Sequence, residues 1–106
     1  MAKYLWQVSY TAEGLKGVLK EGGSARASAI SKLAKGMGGK IEAFYFAFGD
    51  DDVYLIGELP DKVDAAALSL TVGASGAARV KTAVLLTPEE VDAAAKRKVP
   101  YKAPGA

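Results

Sequence analysis

IEAFYFAFGDDDVYLIGEL, residues Ile41–Leu59, is the stretch whose reading decides the fold. Two runs rich in aromatic and β-branched residues flank Gly49 and three aspartates. That composition predicts a β-hairpin with a tight acidic turn, in which Gly49 tolerates positive φ and the aspartates supply local acceptors. Simple alternation puts Ile41, Ala43, Tyr45, Ala47, Val53, Leu55 and Gly57 on one face. Glu42, Phe44, Phe46, Phe48, Tyr54, Ile56 and Glu58 then share the other, provided the turn preserves the register.

Upstream, Lys3–Tyr10 alternates, with Tyr4, Trp6, Val8 and Tyr10 opposite Leu5, Gln7 and Ser9, which predicts a half-buried strand. Thr11 is placed to cap a helix over Ala12–Lys20, where Gly14 and Gly17 weaken the helical preference. Gly22-Gly23 breaks that helix, and Ser24 is the expected cap of a second one over Ala25–Gly36, which Gly38-Gly39 ends. Downstream of the hairpin, Pro60-Asp61 closes the strand. Asp61 or Asp64 then opens a small-residue helix through Ala65–Val72, stopped at Gly73 or Gly76. Ala77–Leu86 alternates as a last strand. Thr87-Pro88-Glu89-Glu90 is a capping box with proline at the first helical position, leading into a short helix to Lys96.

The element order is that of a split βαβ plan: an α+β, ferredoxin-like βαββαβ domain over residues 1–96, with a four-stranded antiparallel sheet and an extra C-terminal helix. Residues 97–106 form a basic, proline-containing tail, either a free end or an arm for another subunit. Both crossover helices cover one sheet face. The other is expected to carry Leu5, Phe44, Phe46, Phe48, Tyr54, Ile56 and Leu85, more apolar area than a monomer leaves in water. At roughly 25 cal/mol per Å², leaving it wet forgoes on the order of 10 kcal/mol. A second copy laid face to face is the expected cover, and the expected partner is therefore the chain itself.

Half of the residues are apolar and the net charge is only +2, from 14 basic and 12 acidic residues that form no run. A scattered balance of this kind argues against nucleic acid as partner. There is no Cys and no His. Their absence removes zinc, copper and thiol chemistry, the usual haem axial ligands and histidine-based nucleophilic catalysis, so no cofactor or metal is expected. MAKYLWQVSY lacks the apolar core of a secretory signal, and no run reaches membrane-spanning length. A cytoplasmic location with no membrane partner is the expectation.

YTAEGLKGVLKEGGSAR (Tyr10–Arg26), FYFAFGDDDVYLIGELPD (Phe44–Asp61) and VLLTPEEVDAA (Val84–Ala94) together resemble the GYD domain family of small bacterial proteins. The tripeptide that gives the family its name aligns with Gly49-Asp50-Asp51, where Asp50 stands in place of the tyrosine. The resemblance implies the dimeric α/β-barrel variant of the ferredoxin-like plan and carries no settled activity with it.

Four groups of residues merit weighing as sites. Asp50, Asp51 and Asp52 are a possible hard-cation cluster, but a solvated turn accounts for them better. Gly22–Arg26 offers backbone N–H groups and the Arg26 guanidinium to an anion, against the simpler reading of a capped helix break. Arg79 and Lys81 fall on the open face with Glu42 and Glu58, as ion pairs or as ligand anchors. Tyr10, Tyr45 and Tyr54 offer phenols to a ligand, although strand tyrosines are usually core residues with a polar tip. The expected function is that of a small oligomeric domain binding a small organic ligand between two sheets, with Glu42, Tyr54, Arg79, Lys81 and Arg26 as its contacts. The alternatives are a cofactor-independent oxygenase or isomerase using Tyr54 or Glu42 as acid–base group, and a self-assembly module without ligand.

Overall fold

The computed structural model describes residues 1–106 and contains four strands and four helices in the order β1 (Ala2–Tyr10), α1 (Ala12–Glu21), α2 (Gly23–Gly36), β2 (Lys40–Phe46), β3 (Val53–Leu59), α3 (Lys62–Ala74), β4 (Ala78–Leu85) and α4 (Pro88–Lys96). The strands form one antiparallel sheet in the order β2-β3-β1-β4. This is the α+β ferredoxin-like architecture, with α1 and α2 together making the first crossover and α3 the second.

Tyr4 and Trp6 from β1, with Val53, Leu55 and Leu59 from β3 and Ala65 from α3, are the buried core. These residues recur at every second strand position, so one face of the sheet is apolar, and the helices bury it. Ala65 and the neighbouring small residues of α3 let that helix lie close to the strands. The helix caps follow local chemistry: Thr11, Asp61 and Thr87 each accept an N–H from the first turn of the helix that follows. Ser24 does not. Helix α2 begins two residues earlier than expected, at Gly23, because Gly22 at φ 85° turns the chain sharply enough to serve as its cap without a side chain.

The hairpin register departs from simple alternation. Ile41 pairs with Gly57 and Ala43 with Ile56, so Glu42 is an extra residue, a β-bulge in β2. Beyond it every side chain changes face. Phe44 now lies opposite Leu55 and Phe46 opposite Val53, on the helix side. Ala43 and Tyr45 join Ile56 and Tyr54 on the open side. The expectation that Phe44 and Phe46 belong to the open face is thereby corrected, and Phe48 lies beyond the end of β2, fully exposed. Gly23 reflects the change: a Cβ there would stand 2.9 Å from the Phe46 ring.

Helix α4 and the tail stand away from the body. Every residue from Leu86 to Ala106 is exposed, the molecule measures 57 × 33 × 23 Å, and its radius of gyration is 16.9 Å, against about 13 Å for a compact chain of this length.

The two glycines that weaken α1 in the sequence differ in what surrounds them. A Cβ on Gly14 would stand 2.1 Å from the carbonyl oxygen of Ala77, which accepts the Thr11 N–H at 3.0 Å, whereas Gly17 has nothing within 4 Å. Gly14→Ala is therefore expected to cost about 1–3 kcal/mol through overpacking. Gly17→Ala is expected to add up to about 1 kcal/mol through helix propensity. Urea unfolding midpoints of the two variants, moving in opposite directions, check both.

Candidate functional site

The residues singled out in the sequence fall in two places, on opposite sides of the sheet. Glu42, Tyr54, Arg79 and Lys81 lie on the open side, and Arg26 lies on the helix side. Most of the open-side charges are engaged. Lys3 Nζ donates to Glu42 Oε1 at 2.5 Å, which holds the ammonium above its ordinary range. Glu58 meets Lys40 at 3.5 Å, and Lys81 Nζ stands 3.0 Å from Asp51 Oδ2. Arg79 forms no ion pair and is exposed. Tyr54 faces Tyr45 across the β2–β3 ladder. Glu42 is three residues from Tyr45, so roughly 10 Å of strand separates it from the Tyr54 phenol's row.

The acidic turn is not the solvated loop expected of it. Asp51 is only 4% exposed; it folds back over the open face, where Ser9 Oγ donates to Oδ1 at 2.8 Å and Gln7 Nε2 to Oδ2 at 3.4 Å. Asp52 accepts the Tyr10 backbone N–H at 2.8 Å. The three carboxylates thus point to different partners, and nowhere do three acidic side chains converge on a common point. Together with Lys3–Glu42 at the far end, Asp51 makes a polar rim around an apolar centre formed by Leu5, Ala43, Tyr54, Ile56 and Ala83.

The helix side contains a cavity of about 410 Å³ between the sheet, α2 and α3. Its floor is Trp6, Val8, Tyr10, Phe44, Leu55 and Val80, alternate residues of the four strands; Ile30, Leu33 and Ala34 of α2 and Leu68 and Val72 of α3 form the walls. Trp6 is 2% exposed, and its Nε1–H has no hydrogen-bond partner. At the Tyr10 end, Arg26 lines the cavity, its Nη1 meeting Glu21 Oε1 at 3.4 Å. Burial raises the Tyr10 phenol above its ordinary pKa, against the opposing pull of Arg26.

Sequence reasoning found Arg26 and Tyr10 but missed Trp6 as a site residue. Trp6 belongs to the alternating core set of β1, and only the space left beside its ring distinguishes it from a packed tryptophan.

The molecule is thus a small α+β domain with an apolar cavity under its helices and an apolar sheet face on the outside. No helix is long and apolar enough to cross a membrane. The model of the GYD domain family matches residues 4–95, and the chain belongs to that family. No curated protein and no solved structure matches it significantly.

Asp51 gives the turn a pH dependence. The Ser9 hydroxyl and then the Lys81 ammonium stabilise its carboxylate and lower its pKa. A lowered pKa contributes stability above the ordinary carboxylate value, and that contribution is lost as the pH falls through the lowered one. Asp51→Asn is expected to lower the urea midpoint at pH 7, and its deficit relative to wild type should shrink on acidification toward pH ~3. A deficit independent of pH would assign the effect to packing.

Proposed function

We propose that this domain is a homodimer whose protomers each bind a small apolar molecule in the cavity under the helices. One observation carries the ligand reading: a cavity of about 410 Å³ under the helices whose lining is apolar apart from Tyr10, Arg26, Thr71 and Ser75. Cavities of several hundred Å³ with an apolar lining and few polar groups are the usual form of a small-molecule site. The seat favoured here is on the helix side, in place of the space between sheets expected from the sequence, because Glu42 and Lys81 already have partners on the open face.

The open face supports the dimer. Its apolar centre inside a charged rim has the arrangement of a protein interface, and the sheet has no helix on that side. Helix α4 supports it too. At nine residues it is shorter than isolated helices that persist in water. Pro88, Val91, Ala94 and Ala95 make one apolar stripe with no counterpart in their own protomer.

Two measurements test the reading. Nile red, an uncharged dye that brightens in apolar surroundings, is expected to bind saturably at one site per protomer and to quench the sole tryptophan, Trp6, while Val72→Phe, which fills the cavity from α3, should abolish this binding with the fold intact by circular dichroism. Sedimentation equilibrium is expected to show a dimer at micromolar concentration, dissociated by Ile56→Lys and weakened by truncation after Leu86. Dye binding indifferent to Val72→Phe would remove the ligand reading, and a wild-type monomer would remove the dimer.

A further inference from the structure

The molecule carries a projecting apolar arm and an open apolar groove. The groove, of about 380 Å³, lies between α1 and the end of β2; Leu15 and Val18 of α1 and Phe46 and Phe48 of the hairpin line it, together with Tyr10 and Asp52. Leu15, Phe46 and Phe48 are exposed there. The arm is α4 with the tail behind it. To the α4 stripe of Pro88, Val91, Ala94 and Ala95 the tail adds Val99 and Tyr101, both exposed.

Arm and groove stand at diagonally opposite corners of the sheet. Phe46 pairs with Val53, and Val53 with Val8, so the groove is at the Tyr10 end of the β2 edge. Leu85 pairs with Lys3, so α4 leaves the other end of the sheet, from the β4 edge. Three strand spacings and the length from Lys3 to Tyr10 put roughly 27 Å between the corners. Only Leu86 and Thr87 connect β4 to α4, so Val91 stays within roughly 15 Å of Leu85. The stripe of α4 therefore cannot fill the groove of its own chain. A second copy can bring it there. When two sheets pack face to face with their strands crossed near a right angle, a two-fold axis in the plane between them exchanges the two corners, and the root of one α4 overlies the other protomer's groove.

Charge matches the two surfaces. Of the 14 basic residues, Lys96, Arg97, Lys98 and Lys102 lie in the tail, and all 12 acidic residues precede them, so the arm ends basic on a body that is net acidic. None of these four cations has an ion-pair partner in its own chain. Beside the groove, the exposed Asp50 carboxylate is likewise unpaired, and Asp52 commits one oxygen to the Tyr10 N–H. We propose that the arm of each protomer seats in the groove of the other, with the α4 stripe against Leu15 and Phe48 and the basic run of the tail beside Asp50 and Asp52. The inference rests on the homodimer proposed above and adds the exchange of arms that locks it.

Because the chain has no cysteine, introduced thiols report the contact without background. Full-length Phe48→Cys and Val91→Cys proteins are mixed and treated with a short bismaleimide, and the mixed cross-link is expected to exceed both homotypic ones. The double variant Phe48→Cys/Val91→Cys is expected to give a covalent dimer and nothing larger. A ladder of higher oligomers would overturn reciprocal exchange, and a link within one chain would overturn the exchange altogether. Both positions are exposed, so the protomer fold is expected to persist by circular dichroism. In sedimentation equilibrium, Phe48→Ser and Val91→Asp are each expected to raise the dimer dissociation constant about tenfold, and together no further than the stronger of the two, since they break one contact. A dimer that Ile56→Lys dissociates but that is indifferent to both of these substitutions would overturn the arm exchange and leave the dimer standing. A monomeric wild type would remove both.

Discussion

The bulge at Glu42 is the constraint on which both faces of the sheet depend, because a side chain's face is fixed by parity and one extra residue inverts it. With Glu42 out of the ladder, Phe44 and Phe46 turn to the helix side of the sheet, where their rings meet edge to face at 5.4 Å. Without it the helix side would receive Ala43 and Tyr45 instead. The floor of the cavity would then lose Phe44, and a tyrosine hydroxyl would need a partner in an apolar layer. The bulge also frees Glu42 to meet Lys3 at the margin of the open face. A single insertion thus gives the helices an aromatic floor and gives the open side a bounded apolar patch.

Much of the architecture was legible in the sequence because it is written in short-range chemistry. Thr11, Asp61 and Thr87-Pro88-Glu89-Glu90 announce helix starts through side-chain acceptors, and they act at those positions. The alternation of β1 identifies Tyr4 and Trp6 as core residues, which they are. The bulge escaped notice because nothing local marks it: Ile41-Glu42-Ala43 has neither a glycine nor a break in polarity that distinguishes a bulge from continuous strand. Ser24 misled for a related reason. It has the composition of a cap, but Gly22 at positive φ turns the chain two residues earlier.

The site was legible only in fragments. Arg26 and Tyr10 attracted notice through their chemistry, and the structure brings both to one end of the cavity. The cavity itself is a property of volume. It lies between the strands, α2 and α3, and small side chains such as Ala34 and Ala78 line it, residues whose lack of bulk leaves no periodic signal. The acidic turn shows the converse. In the sequence Asp51 reads as part of a solvated turn in preference to a cation ligand, yet its carboxylate is spent on Ser9, Gln7 and Lys81 within the same chain, so its work is to fasten the hairpin to β1 and β4.

The two apolar surfaces coexist because adjacent strand residues point in opposite directions. Trp6 and Leu55 face the cavity, while Leu5 and Ile56, their immediate neighbours and a cross-strand pair themselves, face outward. A partner on the outer face would bury Leu5 and Ile56 without placing any atom in the cavity. That division explains why the strands tolerate an incompletely filled interior. A cavity of about 410 Å³ forfeits dispersion contacts along its lining, a deficit that other burial has to offset in a small domain. The outer face is where this chain has such burial still to gain.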